Sequence, residues 1–181
     1  GGYPIANPKD ESYFKEVKSL KLRHARIASF GSTRRANTRV EDDKNIKALL
    51  MAETPVVTIV GKSWDFQVKN VLKVPLDENL KMVSDTIAYL RAKDREVFFD
   101  AEHFFDGYKK NREYALKVVQ EAQLSGAEAI VLCDTNGGSL PAEIAEIVGD
   151  VRENIQGMLS IHVHNDGDLA VANNLAAVHR G

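Results

Sequence analysis

A chain of 181 residues with 44% hydrophobic content can bury a substantial core, and it reads as one domain over residues 1–181 with no internal boundary. Its formal net charge of −2 offers no long-range attraction to nucleic acid or to an acidic membrane surface. A single cysteine, Cys133, excludes an internal disulfide framework and fits a reducing, cytoplasmic compartment, and no apolar run approaches the ~20 residues of a membrane span.

The opening run "GGYPIANPKD" reads as loop, and "ARIASF" (25–30) is the first short apolar strand. The basic run "GSTRRANTR" (31–39) follows; Arg34 and Arg35 there could meet a phosphate or simply lie in a solvated loop. "EDDKNIKALLMA" has helical spacing, and "PVVTIVG" (55–61), rich in β-branched residues, is the second strand. The amphipathic helix "ENLKMVSDTIAYLRAKD" leads to a third strand, "EVFFDAEHF" (96–104), and "REYALKVVQEAQLSGA" to a fourth, within "EAIVLCDTNGG" (128–138). Ser139 and Pro141 sit where a cap and a first-turn proline would start the helix "PAEIAEIVGDVREN". "GMLSIHVHND" is the fifth strand and "DLAVANNLAAVHR" the last helix.

Apolar strands alternating with helices predict an α/β fold with a parallel sheet, either a doubly wound open sheet or a (β/α)8 TIM barrel. Polar residues recur at strand carboxyl ends in "FGST", "VGKS", "FDAEH", "LCDTNGG" and "HVHND", as expected around a barrel mouth. An open sheet would gather them at its switch point, and neither a GxGxxG fingerprint nor a P-loop occurs. A whole barrel takes roughly 250 residues. Five strands therefore predict an incomplete barrel that lacks its first and last strands.

Residues two apart on a strand share a face, so His162 and His164 project together near a strand end. Two imidazoles there could ligate a divalent ion, or be ordinary solvated or hydrogen-bonded histidines; a metal would need a carboxylate from elsewhere. Asp100 and Glu102 form a second same-face pair, able to act as acid, base or ligand, or merely to begin a solvated loop. His103 falls on the opposite face, as a packing or hydrogen-bonding histidine. Asp134, Thr135 and Asn136 lie at another strand end, where glycines let the backbone approach a ligand and Thr135 could hydrogen-bond a substrate carboxylate; an ordinary βα turn is the plain alternative. Cys133 reads as a small buried hydrophobe.

Together, "FDAEHFFDGY", "LCDTNGG" and "HVHNDGDLAVAN", in this order and spacing, resemble the catalytic barrel of the 2-isopropylmalate, homocitrate and citramalate synthase family. "IASFGSTRRA", "TIVGKSWDFQV" and "DAEHFFDGYKKN" are most similar to its citramalate branch, and the resemblance covers essentially the whole chain. It implies a Claisen condensation of acetyl-CoA with a 2-oxo acid, pyruvate giving citramalate or, next, the 2-isopropylmalate or homocitrate reaction, in branched-chain amino-acid biosynthesis. It implies His162 and His164 as ligands of a divalent ion (zinc, manganese or magnesium), Glu102 in acid–base work, Thr135 and Asp100 at the substrate, and Asn165 and Asp166 supporting the histidine strand. A homodimer in the cytoplasm, without nucleic-acid or membrane partners, goes with it. The family's Arg-Asp-Gly element, source of a third metal ligand and a catalytic arginine, does not occur in these 181 residues. The expectation is that these residues alone bind metal weakly and do not catalyse condensation. Two other readings stay open: a metal-dependent aldolase or lyase of the same barrel superfamily, and a non-catalytic barrel fragment serving as a binding or assembly module.

Overall fold

The computed structural model describes residues 2–180. Its five strands are β1 (Ala28–Ser32), β2 (Val56–Lys62), β3 (Glu96–Glu102), β4 (Ala129–Asp134) and β5 (Met158–Val163). All four pairings are parallel, and the spatial order β1-β2-β3-β4-β5 repeats the sequence order. Right-handed crossovers between successive parallel strands put every connecting helix on one side of such a sheet. A doubly wound sheet must instead reverse its order at a switch point. The unreversed order therefore resolves the two architectures in favour of a barrel wall, and the molecule is a partial barrel.

Strand alternation sorts the two faces. On β3, Val97, Phe99 and Ala101 are fully buried beneath the helices, while Phe98, Asp100 and Glu102 are half-buried on the inner face. The helical layer is α1 (Pro8–Val17), α2 (Lys44–Met51), the short α3 (Asp65–Gln67) running into a π-helical turn (Val68–Leu72), α4 (Leu76–Arg91), α5 (Phe104–Lys110), α6 (Arg112–Leu124), α7 (Pro141–Asn154) and α8 (Ala170–Val178). On α4 the apolar positions Leu80, Val83, Ile87 and Leu90 recur at helical spacing and are buried against the sheet. Phe99, Phe104 and Phe105 are fully enclosed in this core, each worth roughly 1.5–3 kcal/mol of burial.

Helix ends follow local chemistry, with three departures from the sequence reading. Residues 1–10 are not all loop: the Asn7 side chain accepts hydrogen bonds from the backbone N–H groups of Lys9 (2.9 Å) and Asp10 (3.0 Å), and Pro8 opens α1. The third strand stops at Glu102 rather than Phe104, because His103 takes a left-handed conformation (φ 56°) that turns the chain into α5. Pro141 opens α7 as expected, but Ser139 does not cap it. The N-cap is Leu140, whose backbone N–H donates to the Glu143 carboxylate (2.7 Å), while Ser139 bonds Asp134.

The basic run after β1 is neither a phosphate site at Arg34 nor wholly solvated. The Arg34 side chain is 7% exposed and lies between two carboxylates of α4, Glu78 (2.9 Å) and Asp85 (2.7 Å). Its backbone N–H donates to Thr86 Oγ1 (2.9 Å), so this arginine ties the β1 loop to α4. Arg35 is exposed.

Candidate metal centre at the strand ends

The inner face at the carboxyl ends of β2 to β5 holds a compact polar group. Asp100 and Glu102 share this face of β3, as their spacing predicts. Cys133 on β4 stands in register with His162 on β5. One ligand atom each from Asp100, Cys133 and His162 lie within 4.8 Å of one another. His164, one residue past the end of β5, keeps its ring beside that of His162, with centroids 5.1 Å apart and a tilt of 32°. Its backbone N–H donates to the Asp134 carbonyl (3.2 Å), which extends the β4–β5 pairing to the mouth.

The electrostatics of the group are uneven. Burial raises the Asp100 carboxyl above its ordinary range, and nearby His162 opposes that shift. Burial also pushes the Cys133 thiol up, and the Asp100 and Glu102 carboxylates add to it. Lys62 on β2 stands in register with Glu102 and forms an ion pair with it, both side chains being mostly covered. A carboxylate, a thiol and an imidazole in such proximity are a donor set suited to a divalent cation; of the two histidines expected as ligands, His162 belongs to this group and His164 stands beside it.

Thr135 lies just past β4, and its Oγ1 accepts a hydrogen bond from the His103 backbone N–H (2.8 Å). That bond fixes the hydroxyl between the β3 and β4 ends and leaves its O–H free to donate. The His103 ring packs on Trp64 (5.9 Å between centroids), away from the Asp100 face. Asn165 accepts from the Ala170 backbone N–H (3.1 Å) and donates to Asp168 (3.3 Å), which organises the turn from the histidine strand into α8. Exposed Asp166 lies over Gly137, where any added Cβ would be 3.1 Å from its carboxylate. Asp134 belongs to the other face: it is 1% exposed and accepts from the backbone N–H and hydroxyl of Ser139. Asn136 donates to Asp106 (2.9 Å).

Two members of the group escape a reading of the sequence by itself. Cys133 is buried, as expected, but its neighbours Asp100 and His162 come from other strands, and Lys62 sits in a "GKS" with no obvious partner. Strand period would have placed both on the inner face; only the register between strands shows what they meet.

The protein-family model described as HMGL-like matches residues 4–181. The chain belongs to that family. Among its relatives, an (R)-citramalate synthase of Geobacter sulfurreducens is 53% identical over 181 residues, all of this chain and 34% of that protein. A 2-isopropylmalate synthase 1 of Caldanaerobacter subterraneus is 31% identical over 99% of this chain and 44% of its own length. The chain thus spans about a third of the length of the citramalate synthase it matches. A solved hydroxymethylglutaryl-CoA lyase of Pseudomonas aeruginosa superposes on 100% of this HMGL-like chain with a TM-score of 0.77, 60% of that lyase being covered at 16% identity. Among the described residues, no helix is long and apolar enough to cross a membrane.

Proposed function

We infer that this HMGL-like chain is part of the catalytic barrel of a synthase that condenses acetyl-CoA with a 2-oxo acid, pyruvate giving citramalate. The observation that carries the reading is the 53% identity to an (R)-citramalate synthase along the entire chain. The polar group on the inner face supports it. His162 and His164 would hold a divalent ion, which when bound supplies Lewis-acid polarisation of the substrate ketone. Thr135, its hydroxyl oriented by the His103 N–H, donates to the 2-oxo acid carboxylate. Glu102, steadied by Lys62, moves the proton taken from the acetyl methyl group. Asp100, on the same face of β3 as Glu102, contacts the 2-oxo acid. The new C–C bond joins the acetyl methyl carbon to the ketone carbon, and hydrolysis of the thioester releases CoA.

The test is CoA release by the full-length protein with pyruvate, 2-oxoisovalerate and 2-oxoglutarate in turn, alongside a lyase assay. Pyruvate is expected to be turned over best, and Glu102→Gln to lower kcat by roughly 10²–10⁴-fold with the fold intact. Cleavage of a hydroxyacyl-CoA without any condensation would overturn the reading in favour of a lyase.

A further inference from the structure

The "HVHNDGDLAVAN" motif ends in an asparagine that the synthase reading does not use. Asn173, in the first half of α8, is 0% exposed, and its Nδ2 donates to the Ser139 carbonyl (2.9 Å). A backbone carbonyl only accepts, so the amide is oriented one way, and its Oδ1 is left buried with no partner among the described residues. An unpaired buried acceptor costs free energy, so packing alone does not account for an amide here. Ser139, in turn, is the point to which the β4 exit is tied. Its backbone N–H (3.2 Å) and its hydroxyl (3.3 Å) both donate to the buried Asp134 carboxylate, and Lys109 of α5 donates to the same hydroxyl (3.2 Å). Residues 135–138 are thereby closed into a short loop that starts with Thr135. The Asp134 carbonyl accepts from the N–H groups of both Gly137 (3.1 Å) and His164 (3.2 Å), so one acceptor joins the exits of β4 and β5.

We propose that Asn173 is a positioning residue for the 2-oxo acid. From behind the sheet it clasps the Ser139 carbonyl and so couples α8, which follows the His164 turn, to the loop that carries Thr135. The two exits are then held from both sides, by the shared Asp134 carbonyl in front and by Asn173 behind, and Thr135 meets its substrate at one fixed spacing from His164. Asn173 itself touches neither substrate nor reacting atoms. The inference rests on the synthase reading for its consequence in catalysis, but the coupling of the two loops does not depend on it.

Asn173→Leu in the full-length protein tests it. One buried acceptor is unpaired before and after the exchange, Oδ1 in the first case and the Ser139 carbonyl in the second. The thermal midpoint should therefore move by no more than about 2–4 °C. The KM for pyruvate should rise by roughly 10–100-fold, the range for residues that orient a binding group, while the KM for acetyl-CoA stays as it was. An unchanged pyruvate KM, or equal rises in both, would overturn the inference. In the unmodified chain the amides of Gly137, His164 and Asn173 should show one common protection against hydrogen exchange, because a single opening releases all three. A His164 amide protected roughly tenfold less than that of Asn173 would equally refute the coupling, and this measurement decides where the variant does not fold. If the unmodified enzyme turned over no 2-oxo acid, the synthase reading would fail by itself, and the exchange rates would still decide the coupling.

Discussion

At Gly137 two constraints meet in one residue. Its φ of 62° lies in the left-handed region, and a Cβ there would sit 3.0 Å from the His164 carbonyl and 3.1 Å from the Asp166 amide nitrogen. Gly137→Ala is therefore expected to cost about 1–2 kcal/mol for the backbone alone, with the push against the His164 turn added. A lowered urea midpoint at unchanged slope would check this; an unchanged midpoint would show that the β5 loop yields freely. Residue chemistry was legible in sequence wherever one strand carried it whole. Asp100 with Glu102, and His162 with His164, needed only the period of two. Cys133 needed the register with β5, and Arg34 needed partners on α4 more than forty residues away, which no local pattern encodes.

Between elements, α5, α6 and α7 are joined at Asp150. Arg112 donates to its carboxylate from Nε (2.9 Å) and Nη2 (2.6 Å), and Tyr108 adds its hydroxyl. The Arg112 hydrogen bonds hold the Asp150 carboxyl below its ordinary range. The folded state thus binds that proton more weakly than the unfolded chain. Its contribution to stability is complete above the unfolded value of about 3.9 and disappears as pH falls through the depressed folded value. Asp150→Asn should lower the denaturation midpoint near neutral pH and leave it unaltered in strong acid; an equal deficit at both would assign the loss to packing. The effect should be small and salt-sensitive, since Arg112 is half exposed. Among the elements, the five strands and the longer helices were evident from periodicity, whereas α5 was hidden. In "EVFFDAEHFFDGYKK" a second Phe-Phe pair follows the alternating strand, so the strand is expected to run on to Phe104, and the break is conformational, at His103. Gly107 then lets α5 approach the β2 exit, where a Cβ would meet the Trp64 backbone at 2.8 Å.

Across the whole molecule, protection should be graded from the middle of the sheet outward. β2, β3 and β4 are each flanked by two strands, while β5 pairs only with β4 among the described residues and β1 gains a single further bridge from Gly2. Amide hydrogen exchange of this chain should be slowest in β3, by roughly 100-fold against β5. Uniform rates would mean that the sheet opens only as one unit. The partial barrel itself was readable from the rhythm of strand and helix, because that rhythm reflects burial of both strand faces. The choice between barrel and open sheet rested on where polar residues fall, and the strand order decides it.

That strand order bears on how the protein is made. Every strand after β1 has a neighbour that precedes it in the chain, so its partner has already left the ribosome when it emerges. The sheet can grow at one edge at the pace of synthesis, each step closing a loop of a few tens of residues. Asp100 is then set in place first, Cys133 next and His162 last, and the cluster is assembled in the order in which it is translated.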